Sequence, residues 1–356
     1  MKTKLQIKPN PPVDTRMDWK YCEGILPKIS RTFALNIVQL RGDVYKAVLL
    51  GYLFFRIADT FEDNTIQNEA EKIRALDDYA EIFRGNKSLD ERLSTYESLK
   101  SRWQEESADK NLIENGDRAI RCYFELPDIY REIIDPHIAR TSEGMARFQR
   151  RKLEVDSKVF QLQTVEDLEE YCYQVAGIVG EMLTQIFCQQ KGIESVKSEL
   201  GKYQTQFGLA LQITNIVKDY QKDLDRGWCY IPASVTEKCG IKINDLRHLS
   251  VLQRKRVLGE FTLMIVNYFD STLRYISTVP EKERHVRIFC IMPFVLAYNT
   301  LLHVAQMQGN KLSRDQVAAI LVECKDYARS NNLLRSNYSS CRARLLSEVQ
   351  NGQVSQ

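Results

Sequence analysis

A chain of 356 residues with 44% hydrophobic content is long enough to bury a substantial core. Its 50 Lys and Arg against 47 Asp and Glu leave a net charge of +3, so no general electrostatic case for nucleic acid exists and none is expected as a partner. Nine scattered cysteines without a C-x-x-C pair fit a reducing cytoplasm, and four dispersed histidines offer neither a zinc site nor a hydrolase triad.

Residues 1–15 are polar and Pro-bearing rather than an apolar leader, and are expected to be a loose tail. Beyond them apolar residues recur at intervals of three and four with almost no period-two alternation, which predicts an all-α fold. The expected helices run over 18–29, 32–40, 43–62, 67–84, 91–106, 108–124, 127–151, 165–190, 194–223, 250–278, 281–307 and 312–346. Several prolines fall where helices should begin or end, as at Leu126-Pro127, Asp135-Pro136 and Ile231-Pro232. No Ser/Gly/Pro-rich linker divides the chain, so a single domain is expected over 16–346, followed by a flexible tail at 347–356. The longest apolar runs, Ala47–Phe55 and Ile288–Tyr298, are shorter than the ~20 residues of a spanning helix and read as buried core helices. A cytoplasmic protein without a membrane anchor is the expectation.

The predicted helix 43–62 is strongly apolar and ends in carboxylates. Asp59 and Asp63 are four apart, which places both on one helix face. Like charges so placed repel unless a cation lies between them, and Mg²⁺ accepts one or two carboxylates while water and substrate phosphate fill its other positions. Arg56, one turn earlier, would add a phosphate donor. The solvated end of a core helix explains the same pattern.

The predicted helix 194–223 repeats this chemistry. Gln212, Asn215, Asp219 and Asp223 fall three, four and four apart on one stripe, opposite Leu209, Ile213, Ile216, Val217 and Tyr220. A polar stripe running two turns into a core-like helix is costly unless it is paired or metal-bound. Lys218 and Lys222 flank it as alternative salt-bridge partners. The two aspartate helices, about 160 residues apart, could face each other across a bundle and clamp a diphosphate through bridging metals. Between them, Gly177 and Gly180 each cost about 1 kcal/mol relative to alanine inside a helix, so close approach of either an isoprenoid tail or a neighbouring helix is expected.

Several segments in order resemble the squalene/phytoene synthase family, from about Cys22 to about Arg314. S-R-T-F at Ser30–Phe33 is similar to its S-R-S-F signature, D-T-F-E-D at Asp59–Asp63 to its first aspartate motif, and E-G-M-A-R-F at Glu143–Phe148 to its G-M-A region. Y-C-Y-Q-V-A-G-I-V-G at Tyr171–Gly180 resembles a third signature, and L-Q-I-T-N-I-V-K-D-Y-Q-K-D at Leu211–Asp223 resembles the second aspartate motif. The resemblance implies a helical isoprenoid-synthase bundle around a central cavity. It also implies head-to-head condensation of two allylic diphosphates, farnesyl diphosphate being the expected substrate. By the same resemblance Asp59, Glu62, Asp63, Asn215, Asp219 and Asp223 hold Mg²⁺, while Ser30, Arg31, Thr32, Arg56, Gln212 and Lys218 bind diphosphate. Tyr52 and Tyr171 become candidates for proton movement. Phe54, Phe207 and Phe289 are candidates for an aromatic wall that excludes water and stabilises a carbocation.

No Gly-rich strand-to-helix fingerprint is present, so a Rossmann-type nucleotide site is excluded and NADPH rests on resemblance alone. I-F-C-I-M-P-F-V-L-A at Ile288–Ala297 resembles the F-C-x-x-P segment of the family's reductive branch, and K-L-S-R at Lys311–Arg314 its basic segment near the cofactor phosphates. Asn215, Lys311 and Arg314 are the expected cofactor residues, and squalene the expected product. Two departures point elsewhere: Lys218 stands where many members have arginine, and Arg226–Pro232 resembles the R-G-R-x-Y-L-P stretch of phytoene-type enzymes with Trp228 in place of arginine. The rivals are a non-reductive synthase of dehydrosqualene or phytoene, one that stops at presqualene diphosphate, and an inactive helical scaffold. A monomer that touches membrane only to collect or deliver lipid is expected.

Overall fold

The computed structural model describes residues 14–107 and 109–354, apart from the side chains of Arg31 and of residues 352–354. The first half of the chain forms α1 (Arg16–Ile29), α2 (Arg31–Ile37), α3 (Gly42–Asp63), α4 (Glu69–Ile82), α5 (Leu89–Arg102), α6 (Lys110–Glu114), α7 (Gly116–Tyr123) and α8 (Asp128–Leu153). The second half forms α9 (Val165–Cys172), α10 (Ile178–Phe187), α11 (Lys197–Gly201), α12 (Gln204–Asp225), α13 (Ala233–Lys238), α14 (Val251–Thr278), α15 (Arg284–Ala305), α16 (Arg314–Tyr327) and α17 (Asn331–Val354). The only extended pairing among the described residues is a parallel ladder of two-residue strands, β1 (Phe160–Gln161) and β2 (Trp228–Cys229). The fold is all-α.

Helix starts follow local chemistry. Reciprocal capping boxes open α4 (Asn68 with Glu71), α5 (Ser88 with Glu91), α9 (Thr164 with Asp167), α14 (Ser250 with Gln253) and α16 (Ser313 with Gln316). Buried apolar residues of these helices join one continuous cluster, with α4 on α8, α3 on α8, α12 on α14 and α15, and α14 on α17.

Several expected boundaries move for identifiable reasons. The expected helix 108–124 divides at Asn115 into α6 and α7. The expected helix 312–346 breaks after Tyr327, where the Ala328 carbonyl accepts from Arg287 Nε at 3.0 Å instead of continuing a helix. Asp135-Pro136, expected at a helix boundary, lies inside α8, where Arg92 and Tyr123 hold Asp135 at 2.6 Å. The tail expected from 347 is helical as far as Val354, because Leu345 and Val349 extend the buried stripe of α17. Most of the expected N-terminal tail, 1–13, is outside the described residues, whereas Thr15 is buried and donates to Glu125.

Glycine placement settles what approaches the third signature. A Cβ on Gly180 would lie 2.2 Å from the Gln204 carbonyl oxygen, and one on Gly208 would lie 2.2 Å from that of Ala176. The neighbour is therefore helix α12 itself. Between α9 and α10 the chain makes one π-helical turn, Tyr173–Gly177, at this crossing. Among the described residues only α15 is long and apolar enough to cross a membrane, and 67% of its most apolar window is buried inside the protein.

Candidate active site

The C-terminal end of α3 and the C-terminal half of α12 flank a cavity of about 620 Å³. From α3 come Arg56, Asp59, Glu62 and Asp63; from α12 come Gln212, Asn215, Lys218, Asp219, Lys222 and Asp223; Tyr171, Val175, Arg226 and Tyr230 close it. The two carboxylate faces expected from spacing thus share one space. The α12 stripe is buried only at its end: Asp223 is buried, whereas Gln212 and Asp219 are half-buried and Asn215 is exposed, because the stripe faces the cavity while Leu209, Ile213, Val217 and Tyr220 face the core.

Charge in the cavity is unevenly satisfied. Arg226 reaches both faces, pairing with Asp63 on α3 and with Asp223 at 2.6 Å on α12. Lys222 and Lys218 pair with Asp219 at 2.9 and 3.2 Å, and Lys218 also donates to Asn215 Oδ1 at 3.0 Å. Burial works against the Asp219 carboxylate, yet these lysines bring it below the usual range. Asp59 has no hydrogen bond or ion pair among the described residues, and burial pushes its carboxyl up to about 7 against the field of Arg56. Glu62 is buried with Oε1 unpartnered, and burial followed by repulsion from Asp63 raises its carboxyl well above the normal range. Unpaired, desolvated carboxylates at a cavity wall suit a hard divalent cation. No three acidic, His or Cys side chains among the described residues form a complete cation cage, so such an ion would draw its remaining ligands from water and substrate phosphate.

Arg56 is clamped by Asp109, which accepts from Nε at 3.2 Å and Nη2 at 2.5 Å, leaving Nη1 for the cavity. Tyr171 donates to the Tyr230 hydroxyl at 2.9 Å, and the two rings stack 4.4 Å apart, with Trp228 stacked on Tyr230 at 5.4 Å. Burial, then the nearby Glu62, holds both phenols well above their ordinary range, so both remain neutral donors.

A second cavity of about 400 Å³ shares Asn215 and Lys218 with the first and lies between α2, α12 and α15, with Lys311 before α16 on its wall. Ser30 and Thr32 also line it, and Ser30 caps α2 by accepting from Phe33 N at 3.2 Å. Tyr52 packs its ring 5.2 Å from Phe33, beside Ser30. Arg314 is exposed at the start of α16, outside this lining, and the Arg31 side chain lies outside the described residues. Phe289 packs on Phe187, Phe207 on Tyr275 and Phe54 on Phe83, so none of the three lines either cavity.

A family-wide sequence model described as squalene/phytoene synthase matches residues 26–320. The chain belongs to the squalene/phytoene synthase family. It is 28% identical over 305 residues to squalene synthase 1 of Arabidopsis thaliana, covering 84% of this chain and 67% of that protein. Against squalene synthase ERG9 of Candida albicans it is 28% identical over 288 residues, covering 80% and 61%. The chain thus spans roughly three fifths to two thirds of the length of such curated relatives. Among solved structures, the complex of TcSQS with BPH1237 superposes with a TM-score of 0.76 at 21% identity, covering 94% of this chain and 96% of that one. A dehydrosqualene synthase complex gives 0.57 at 21% identity, covering 89% and 99%. At these identities the likeness is one of fold.

Arg226, Tyr230 and Asp109 are the site residues that sequence reasoning missed. Arg226 and Tyr230 lay in a segment recognised only for its resemblance to phytoene-type enzymes. Asp109 carried no signal, since nothing local ties it to Arg56.

Proposed function

We propose that this chain condenses two farnesyl diphosphates head to head through presqualene diphosphate and reduces that intermediate to squalene with NADPH. The observation that carries the proposal is the junction of the two cavities: both aspartate faces open on one, and Asn215 and Lys218 lead into the other, towards Lys311. Residues 16–346 would be the catalytic domain, acting as a monomer and meeting membrane only to exchange lipid.

Asp59, Glu62, Asp63, Asn215, Asp219 and Asp223 would hold Mg²⁺, which when bound neutralises charge on a departing diphosphate. Arg56, through its unclaimed Nη1, and Lys218 stabilise that charge from the protein side, with Gln212, Ser30, Arg31 and Thr32 orienting the phosphates. The Arg226 guanidinium keeps Asp63 and Asp223 aimed at the shared space. The Tyr171–Tyr230 pair presents neutral hydroxyls and ring faces where a carbocation needs shielding from water, and it can pass on the proton lost when the cyclopropyl ring closes. NADPH when bound supplies hydride, with Asn215, Lys218 and Lys311 placed for its phosphates.

The reading is tested by incubating purified protein with farnesyl diphosphate and Mg²⁺, with and without NADPH, and identifying the hydrocarbons by mass spectrometry. Squalene formed only with NADPH is expected. The same dehydrosqualene output in both arms would overturn the reductive step, and no diphosphate release in either would overturn the condensation.

A further inference from the structure

Arg226 is the one cationic side chain among the described residues that pairs with carboxylates of both aspartate helices. One arm of its guanidinium meets Asp63 at the end of α3, and the other meets Asp223 on α12 at 2.6 Å. Neither aspartate has another ion-pair partner among the described residues, whereas Lys218 and Lys222 both serve Asp219 and Arg56 is taken by Asp109. The backbone that carries this guanidinium is fixed. Its N–H closes α12 on the Asp223 and Lys222 carbonyls at 3.0 and 3.2 Å, and its carbonyl accepts from Lys152 Nζ at 3.4 Å. Gly227, at φ +77°, then turns the chain into β2, with the Lys158 oxygen only 2.9 Å from where a Cβ would stand. Only the long, half-buried side chain of Arg226, on the cavity wall, is left to change partners.

Six carboxylic acids and four cationic side chains line this cavity, so in the metal-free protein acid is in excess. Asp63 and Asp223 would repel across the space between α3 and α12, and a planar guanidinium fork answers that repulsion by giving one N–H edge to each. A divalent ion between the same two aspartates would lie beside that fixed positive charge, and like charges so close in a partly desolvated cavity repel strongly. The two cations exclude one another from this pair. We infer that Arg226 is a resident stand-in for metal: it joins the aspartate faces in the metal-free protein, yields Asp63 and Asp223 to Mg²⁺, and turns its guanidinium onto diphosphate. This rests on the Mg²⁺ reading above. The charge that opposes loading by metal alone becomes a phosphate donor when metal and diphosphate arrive together, which couples the two binding events through one side chain.

The test is a titration of the whole chain with Mn²⁺, which takes the same oxygen ligands as Mg²⁺ and is counted as free ion by electron paramagnetic resonance, with and without inorganic pyrophosphate. Without pyrophosphate, Arg226→Gln should bind Mn²⁺ about tenfold or more tightly than the unaltered chain. In chelator the same variant should melt about 2–4 °C lower, and saturating Mn²⁺ should close that gap. With pyrophosphate its advantage in Mn²⁺ affinity should shrink or reverse. A merely structural ion pair would leave Mn²⁺ affinity unchanged and keep the melting gap at every metal concentration. A second arm needs no variant: phenylglyoxal labelling of the unaltered chain, read by peptide mass spectrometry, should modify Arg226 slowly in chelator, several-fold faster with Mn²⁺, and slowly again once pyrophosphate is added. Mn²⁺ affinity of Arg226→Gln no higher than that of the unaltered chain, or labelling of Arg226 indifferent to Mn²⁺, would overturn the inference, and Mn²⁺ binding with pyrophosphate would leave the metal reading standing. If neither chain binds Mn²⁺ even with pyrophosphate, the metal reading fails and takes this inference with it.

Discussion

The packing of α12 against the π-helical turn before α10 makes a sharp prediction from one methyl group. In Gly208→Ala the new Cβ would fall 2.2 Å from the Ala176 oxygen, 2.5 Å from its carbonyl carbon and 2.9 Å from Gly177 N. All three are backbone atoms, so no side-chain rotation relieves the clash, and the helices must part by about 1 Å to restore ordinary contact. Overpacking of this kind costs about 1–3 kcal/mol, and a backbone neighbour puts this site at the upper end. Alanine's better helix propensity returns about 1 kcal/mol, leaving a net loss of about 2 kcal/mol. Gly24→Ala is the control: Gly24 is exposed within α1 with nothing within 4 Å of its added Cβ, so the same substitution should stabilise by about 1 kcal/mol. Urea denaturation of both variants measures the difference of about 3 kcal/mol. Because α12 carries Asn215 and Asp219, a shift of about 1 Å should also lower kcat about 100-fold. Gly208→Ala as stable as the unaltered chain would refute the close crossing.

Asp59→Asn and Asp219→Asn should each lower turnover about 100- to 1,000-fold while the chain still folds, judged by circular dichroism beside product assays; unchanged turnover in both would remove the metal assignment. The pH dependence has a defined sign. The folded Asp59 carboxyl is raised to about 7, so it binds a proton that Mg²⁺ must displace below that pH. Apparent Mg²⁺ affinity should rise with pH and level off above about 7, and flat affinity between pH 6 and 8 would contradict it. By linkage the same raised value weakens the metal-free fold as pH climbs from the ordinary carboxyl range through about 7, so Asp59→Asn should be the more stable chain at pH 8 in a chelator. Arg287 is fully buried and donates to the carbonyls of Ala328, Ile276 and Val279 at 3.0, 2.9 and 2.7 Å and to Asn331 at 2.7 Å. Arg287→Met leaves those acceptors unpaired and should cost about 3–5 kcal/mol in denaturant, and Arg287→Lys should rescue little because an ammonium lacks the planar fork.

What the sequence alone determined is what helical periodicity carries. Spacing of three and four placed Asp59 with Asp63, and Gln212 with Asn215, Asp219 and Asp223, on single faces, and the apolar stripe of α12 marked its buried side. These are consequences of 3.6 residues per turn and need no partner. The boundaries that moved depend on distant groups: the Ala328 break on Arg287, and the far end of α17 on its packing against α14. The site's decisive contacts are of the same kind. Arg226 joins Asp63 to Asp223, Asp109 turns Arg56, and Tyr230 meets Tyr171. Spacing also left open whether a lipid or a helix crowds Gly180, and the backbone of α12 decided it. Each of these pairs depends on segments far apart in sequence meeting in space, and no local pattern encodes which side chains meet.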